Sequence, residues 1–252
     1  RIGGMKLLAL DTPDGKLRPE QIDREVWGWG DEHRAQPLVV SITQSTELGT
    51  NYSPEEVRAI SDTAHAQGMH VHLDGSRIAN AAASLGVPLR AFTTDAGVDV
   101  ISLGGTKNGA LGAEAIVVLR TEASEGLRYL RKLNMQLGSK QRFASAQLIA
   151  LFEGELWRDS ASHANAMATR LRAALVDAAA TGRLSFTQAT ESNAVFARLP
   201  FAAAEALRAR FGFYDWAGPF TDGTVEVRWM CSWDTTTDDV DAFAEAITTA
   251  LA

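Results

Sequence analysis

A chain of 252 residues, 46% of them hydrophobic and 22% charged, is long enough to bury a core of its own, so we expect a globular protein. Its net charge of −7, from 24 basic and 31 acidic side chains, argues against broad binding to nucleic acids or anionic membranes, and no apolar run reaches transmembrane length. The single cysteine, Cys231, excludes an internal disulfide framework and favours a reducing compartment, so we expect a cytoplasmic protein.

The first part of the chain alternates apolar runs with turn and helix signals. The apolar run over 5–10 predicts a strand, and Pro13-Asp14-Gly15 predicts a turn. Pro19 suits the first turn of a helix, which we predict over 19–27. The run over 38–42 predicts a buried strand.

A strong helix start follows this strand. Ser53 as the N-cap, Pro54 at the first position and Glu56 completing a capping box predict a helix that runs to Gln67. The alternating residues 69–73 then predict another strand. Because strands and helices alternate, we expect right-handed crossovers and an α/β fold with a mostly parallel sheet flanked by helices.

The remaining elements fall into two groups. The first comprises a helix over 77–85, a short helix or turn over 87–94, strands over 98–103 and 114–119, a helix over 122–131, and one or two long helices within 142–180. The second comprises a strand over 193–199, a helix over 201–211, a strand over 225–230 and a helix over 237–251. The second group has the size of a small α/β domain. We therefore predict the C-terminal portion of a large domain over 1–155 and a small C-terminal domain over 156–252.

Charged side chains follow two of the predicted strands. Asp74 and Arg77 come directly after the strand over 69–73, and Lys107 follows the next strand and a Gly-Gly pair. In open α/β sheets, ligands bind at the carboxyl ends of the strands. The sequence therefore predicts a ligand site where these side chains meet.

Both Lys107 and Asp74 also have simpler interpretations. A lysine is usually a solvated surface residue, and an aspartate before a helix is often its N-cap. However, Lys107 stands between two apolar runs, where partial desolvation would make its amine easier to deprotonate, as an imine-forming lysine requires. A lysine imine together with an acid for a pyridinium nitrogen is the arrangement that binds pyridoxal phosphate.

At these residues the chain resembles a known family. The segments HLDGSRIANAA (72–82) and GGTKNGALGAEAIVVL (104–119) resemble the low-specificity threonine aldolase and β-eliminating lyase family of pyridoxal phosphate enzymes. The resemblance runs from near residue 5 to the C-terminus, and ELGT (47–50) and LGSKQRF (137–143) are most similar to an aldolase-like branch. It implies the aspartate aminotransferase fold, which is fold type I.

The resemblance also implies roles for five residues. Lys107 would hold the cofactor as an imine, Asp74 would keep the ring nitrogen protonated, and Thr106 would help to hold the phosphate. Arg77 would lie near the ring's phenolic oxygen or support Asp74. Arg228 would bind the substrate carboxylate, for which its planar fork is suited. The implied reaction cleaves β-hydroxy-α-amino acids to glycine and an aldehyde.

The strand over 225–230 shows how Arg228 would be presented. Alternation places Val225, Val227 and Trp229 on one face and Arg228 on the other. From the pattern alone, an exposed strand arginine is the simpler interpretation, and the role in substrate binding depends on the resemblance.

His70 and His72 alternate on one strand face, but no further ligands have a suitable spacing nearby, so we predict no metal site. We expect both residues to be core histidines whose ring nitrogens have hydrogen-bond partners. His72, two residues before Asp74, is placed to support that carboxylate through a hydrogen bond.

The beginning of the chain bears on its activity. The phosphate-binding turn and ring-stacking aromatic that the resemblance implies are not found, so we expect the family's N-terminal segment to be missing. A related β-eliminating lyase and a non-catalytic truncated chain remain alternatives.

The Ala- and Leu-rich helices within 142–180 have more apolar surface than one face of a sheet can cover. We therefore expect a homodimer or homotetramer in which Lys140 or Arg142 reaches the partner's phosphate.

Overall fold

A four-stranded sheet in the first part of the chain carries the predicted site. The computed structural model describes residues 3–252, apart from the side chains of residues 123 and 124. The strands of this first sheet, in spatial order, are β1 (Val39–Thr43), β2 (His70–Gly75), β3 (Val100–Gly104) and β4 (Glu114–Val118). The pairs β1–β2 and β2–β3 are parallel, whereas β3–β4 is antiparallel. The predicted mostly parallel sheet flanked by helices is thus confirmed.

Helices connect and cover these strands. The α-helices of this part are α1 (Pro19–Glu25), α2 (Pro54–Ala66), α3 (Ile78–Leu85), α4 (Leu127–Leu133), α5 (Gln141–Phe152), α6 (Leu156–Ala174) and α7 (Val176–Ala180). Single 3-10 turns span Leu89–Phe92, Thr106–Asn108 and Thr121–Ser124. No helix within residues 3–252 is both long and apolar enough to cross a lipid bilayer.

The start of α2 shows why the local sequence was informative. Ser53 accepts a hydrogen bond from the Glu56 backbone N–H at 3.2 Å, and the Glu56 carboxylate accepts one from the Ser53 N–H at 2.8 Å. This reciprocal capping box satisfies two N–H groups that the helix leaves free. Lys16 adds an ion pair with Glu56 at 2.7 Å, which ties the preceding turn to the helix.

The two faces of the first sheet differ in polarity. Val40, Ile42, Val71 and Leu73 are buried and pack in the core beneath α2 and α3. The alternate residues, such as His72, face the other side of the sheet, where the side chains are polar or exposed. The core therefore sits on one side of the strands, and it holds their carboxyl ends in register.

A second sheet forms the C-terminal part. Its strands, in spatial order, are β5 (Ser185–Phe186), β6 (Ala194–Pro200), β8 (Thr224–Met230) and β7 (Tyr214–Ala217), all antiparallel. It is covered by α8 (Phe201–Arg208) and α9 (Thr237–Leu251). Trp157 of α6 belongs to the first core and Leu171 to the second, so this helix joins both. The division into domains at residue 155 stays a prediction.

Some sequence predictions were wrong. Residues 5–10 form no strand, because no neighbouring strand pairs with them and Leu7 is 87% exposed. The predicted helix over 122–131 is broken, with a 3-10 turn ending at Ser124 and α4 starting at Leu127, since Gly126 between them has a φ of +76°. The long helical region within 142–180 is three helices rather than one or two, and the short strands β5 and β7 were not predicted.

Candidate active site

Asp74 lies at the carboxyl end of β2. It pairs with Ser102 of the adjacent parallel strand β3. One carboxylate oxygen, Oδ1, accepts hydrogen bonds from the Ser76 N–H at 2.9 Å and the Ser76 hydroxyl at 2.5 Å. The other oxygen, Oδ2, receives no hydrogen bond from any side chain or backbone group in residues 3–252. Asp74 is not a helix cap, because α3 begins at Ile78 with Arg77 at the N-cap. Its Oδ2 is therefore free to accept a hydrogen bond from a ligand.

The loop that carries Lys107 packs closely against the loop that follows Asp74. A Cβ on Gly104 would lie 2.8 Å from the Cα of Ser76, and one on Gly105 would lie 2.7 Å from the Ala113 carbonyl oxygen. Real Cβ atoms do not approach that closely, so both positions require glycine. Close packing of these two loops places the 3-10 turn that carries Lys107 beside the end of β2.

Lys107 itself is exposed, contrary to the expectation that two buried strands would desolvate it. The reason is geometric. β3 ends at Gly104, so Lys107 stands on a turn beyond the sheet and not between β3 and β4. The next residue, Asn108, is buried and donates a hydrogen bond to the Trp157 carbonyl at 2.8 Å. That bond anchors the turn while the lysine side chain remains in solvent.

Thr106 makes two hydrogen bonds within this loop. Its N–H donates to Glu114 Oε1 at 3.3 Å, and its hydroxyl oxygen accepts from the Ala113 N–H at 3.2 Å. The hydroxyl hydrogen is still available to a ligand. The role of Thr106 at a phosphate stays a prediction.

Arg77 and Arg228 come together around Glu47, which lies in the loop after β1. Arg228 Nη1 donates to Glu47 Oε2 at 2.8 Å, and Arg77 Nη1 lies 4.0 Å from Glu47 Oε1. The Arg77 side chain is only 15% exposed. Burial lowers the pKa of its guanidinium, the charge of Glu47 opposes this, and Arg228 lowers it further. Two arginines thus converge on one carboxylate.

The predicted presentation of Arg228 is confirmed. Along β8 the residues Val225, Val227 and Trp229 are buried, and Arg228 lies on the opposite face. Its guanidinium carbon stands 4.6 Å from the centroid of the Trp216 ring. This cation–π contact limits the orientations that the guanidinium can adopt.

Sequence reasoning assigned no role to Glu47. It was noted only as part of the ELGT segment that carries the family resemblance. A usable signal was nevertheless present, because Glu47 follows a predicted parallel strand at the edge where ligands bind. Trp216 was not considered, since its strand was not predicted.

His72 joins three strands and does not support Asp74 directly. Its Nδ1 lies 2.8 Å from the Ser41 hydroxyl and its Nε2 lies 2.9 Å from the Ser102 hydroxyl. Burial lowers the pKa of the imidazole, and the charge of Asp74 partly opposes that shift. A neutral ring donates to one serine and accepts from the other. His70 is exposed, so the expectation of a core histidine was wrong there.

The remaining predicted groups lie at the surface. Lys140 and Arg142 are both exposed, and their proposed reach to a partner's phosphate stays a prediction. Within residues 3–252, no three His, Cys, Asp or Glu side chains are grouped as a metal site would require.

The donor set fits pyridoxal phosphate. Asp74 offers a free carboxylate oxygen to a pyridinium N–H, the Lys107 loop offers an amine, and Thr106 offers a hydroxyl hydrogen. A mostly parallel sheet with these residues at the ends of adjacent strands defines the class of pyridoxal phosphate-dependent enzymes of fold type I. The family model described as beta-eliminating lyase matches residues 1–199. The chain belongs to this family.

Individual relatives agree with this assignment. The chain is 42% identical to a low specificity L-threonine aldolase of Pseudomonas aeruginosa, over 97% of this chain and 68% of the relative. It is 40% identical to one from a Pseudomonas species, over 92% of this chain and 65% of the relative. A solved threonine aldolase structure from Leishmania major superposes with a TM-score of 0.90 at 30% identity, covering 99% of this chain and 71% of that one. The chain therefore spans about two thirds of the length of these curated relatives.

Proposed function

We propose that the protein is a pyridoxal phosphate-dependent lyase of the threonine aldolase type, which cleaves β-hydroxy-α-amino acids to glycine and an aldehyde. The observation that carries the proposal is that Asp74, the Lys107 loop and the Glu47 side chain that binds Arg228 all follow the carboxyl ends of strands of the first sheet. The likeness to relatives named low specificity L-threonine aldolase supports this reaction over others of the same fold.

Each residue has a defined task in this proposal. Asp74 Oδ2 accepts the ring N–H of the cofactor, and Lys107 supplies the amine that holds the cofactor. The bound cofactor supplies an electron-accepting ring conjugated to the substrate Cα. Thr106 donates its hydroxyl hydrogen to the phosphate. Arg77, at the start of α3, lies beside these groups and adds positive charge to the site.

Arg228 decides which bond is cleaved. Its planar guanidinium binds the α-carboxylate of the substrate through two parallel N–H···O bonds. Holding the carboxylate would fix the rotation about Cα and would thereby select the Cα–Cβ bond for cleavage. A base that removes the β-hydroxyl proton then completes retro-aldol cleavage. A β-hydroxyl group on the substrate is therefore required.

A β-elimination activity is the second candidate, because the matching family model carries that description. The two reactions differ in the bond that breaks. Elimination expels a leaving group from Cβ and ends in a keto acid and ammonia, whereas the aldol reaction breaks Cα–Cβ.

Product analysis tests the proposal. The cofactor-loaded protein should release an aldehyde and glycine from allo-threonine and from phenylserine, measured by coupled reduction of the aldehyde and by glycine analysis. Lys107→Ala serves as the inactive control for contaminating activity. Release of pyruvate or ammonia from serine-type substrates, without aldehyde from either β-hydroxy amino acid, would contradict the aldolase reaction and favour elimination.

We further propose a homodimer or homotetramer and a cytoplasmic location. Seven large apolar side chains around α4 and α5 are exposed: Tyr129, Leu130, Leu133, Met135, Leu137, Phe143 and Ile149. A cluster of this kind is typical of an interface between subunits.

The cytoplasmic location is supported by Cys231, the single cysteine, which is buried and whose pKa is raised by burial to about 11. A chain with one unreactive thiol and no internal disulfide is typical of a reducing compartment.

A further inference from the structure

Glu47 occupies the position in which Arg228 would bind a substrate carboxylate. The distance of 2.8 Å between Arg228 Nη1 and Glu47 Oε2 is that of a charge-assisted hydrogen bond. The second oxygen of Glu47 faces Arg77 at 4.0 Å. Chemically, Glu47 presents to this arginine pair the same carboxylate group that an amino acid substrate carries.

The contact between Glu47 and Arg228 is open to competition. The Glu47 side chain is 58% exposed, and it receives a single hydrogen bond from Arg228. The Arg228 side chain is 25% exposed, so water reaches the ion pair and weakens it. A free carboxylate that takes both N–H groups of the guanidinium fork forms the stronger bidentate pair.

The backbone beneath Glu47 is fixed, so only its side chain must move. The Thr46 N–H donates to the Thr50 carbonyl at 2.9 Å, and the two threonine hydroxyls lie 2.8 Å apart. The Gly49 carbonyl accepts a hydrogen bond from the Ser192 hydroxyl at 3.0 Å. A rotation of the Glu47 side chain into solvent would free Arg228 without rebuilding the loop.

We propose that Glu47 is a specificity-determining residue that competes with the substrate carboxylate for Arg228 and thereby sets the affinity of the site for carboxylates. This inference depends on the proposed carboxylate-binding role of Arg228. When substrate is absent, Glu47 compensates the charge of the two arginines. When substrate binds, its carboxylate replaces that of Glu47.

The competition predicts the direction of a substitution. Glu47→Gln keeps the size of the side chain but removes the competing charge and its repulsion of an incoming anion. The affinity for a carboxylate ligand should rise by about two- to fivefold, the factor that corresponds to an ion pair that solvent can reach. Glu226→Gln is the matched control, since Glu226 lies on the same face of β8 as Arg228 but accepts its hydrogen bond from Thr187.

A ligand without an amine tests this independently of turnover. 3-Hydroxybutyrate carries a carboxylate and a β-hydroxyl but cannot react with the cofactor, so calorimetric titration of the holoenzyme reports binding alone. We expect tighter binding for Glu47→Gln than for the parent and for Glu226→Gln, and a large loss for Arg228→Gln. Unchanged or weaker binding by Glu47→Gln would overturn the inference. Unchanged binding by Arg228→Gln would instead overturn the proposed role of Arg228, on which the inference depends.

Steady-state kinetics give a second readout. With allo-threonine, Glu47→Gln should lower KM by the same two- to fivefold factor, because the competing group has been removed before the chemical step. A fall in kcat of tenfold or more with KM unchanged would place Glu47 at the reacting atoms, and it would refute the competition.

Discussion

Gly104 of β3 packs against Ser76 so closely that a Cβ on the glycine would lie 2.8 Å from the serine Cα. Ser76 in turn donates two hydrogen bonds to Asp74, and Gly104 is three residues before Lys107. The contact therefore connects the loop of the aspartate to the loop of the lysine. Because Gly104 has no side chain, the two loops can share one end of the sheet.

The first prediction concerns cofactor attachment. Pyridoxal phosphate added to the protein should give an absorbance near the visible edge, and borohydride should then fix the label on Lys107, as identified by peptide mass. Lys107→Ala should lose the label and about a thousandfold of activity, which corresponds to roughly 4 kcal/mol of barrier. Lys6→Ala, which changes an exposed lysine near the beginning of the chain, should behave like the parent. Label on any other lysine of the parent would refute the assignment.

The second prediction concerns Asp74. Asp74→Asn should keep the fold but lower kcat by an amount equivalent to about 3–5 kcal/mol, because a neutral amide cannot stabilise a protonated ring nitrogen. Turnover of the holoenzyme with allo-threonine measures this, and circular dichroism checks the fold. Asp95→Asn is a suitable control, since Asp95 pairs with Arg90 at the surface. If Asp74→Asn turned over like the parent, the carboxylate would have only its structural bonds to Ser76.

The third prediction is a pH dependence of stability through His72. Burial lowers the pKa of this imidazole below its ordinary value of 6.5, so the unfolded chain binds the proton more readily than the folded one. The stabilisation is present above pH 6.5 and is lost as the pH falls through the folded pKa. Urea midpoints measured between pH 5 and pH 8 should therefore fall toward acid. His72→Gln should flatten that slope, whereas His33→Gln, which changes an exposed histidine, should not. An equal slope in both variants would exclude His72 as the cause.

The fourth prediction concerns assembly. Light scattering at micromolar concentration should report a dimer or tetramer, because the apolar side chains around α4 and α5 need a partner. Leu133→Asp should dissociate it. The double change Lys140→Glu and Arg142→Glu should leave the oligomer intact but weaken pyridoxal phosphate binding by about tenfold, or about 1.4 kcal/mol, if these side chains reach the partner's phosphate.

A control and a contradicting outcome accompany the assembly test. Arg210→Glu reverses a charge on the C-terminal part and should leave the affinity for the cofactor unchanged. A stable monomer of the parent protein would contradict the proposed oligomer. Intact cofactor affinity in the Lys140 and Arg142 double variant would show that these side chains do not contribute to the phosphate site.

Local sequence patterns were sufficient where the physical cause is local. The capping box at Ser53 and Glu56 depends on two residues three positions apart, and α2 begins there as predicted. Alternation along β8 placed Arg228 on its correct face, because the side-chain period of a strand is two. The strands before Asp74 and Lys107 were predicted to end at residues 73 and 103, and they end at Gly75 and Gly104.

Only the tertiary structure decided which distant groups meet. Glu47 and Arg228 are 181 positions apart, and no periodicity within either segment relates them. Their contact arises because the second sheet packs beside the carboxyl ends of the first. The exposure of Lys107 was not predicted either, since it depends on how the turn after β3 is held by distant residues, such as Trp157, whose carbonyl binds Asn108. The sequence thus determined the strands, caps and chemical groups through short-range sterics and hydrogen bonds, whereas long-range packing decided how those groups are paired, buried and left in solvent.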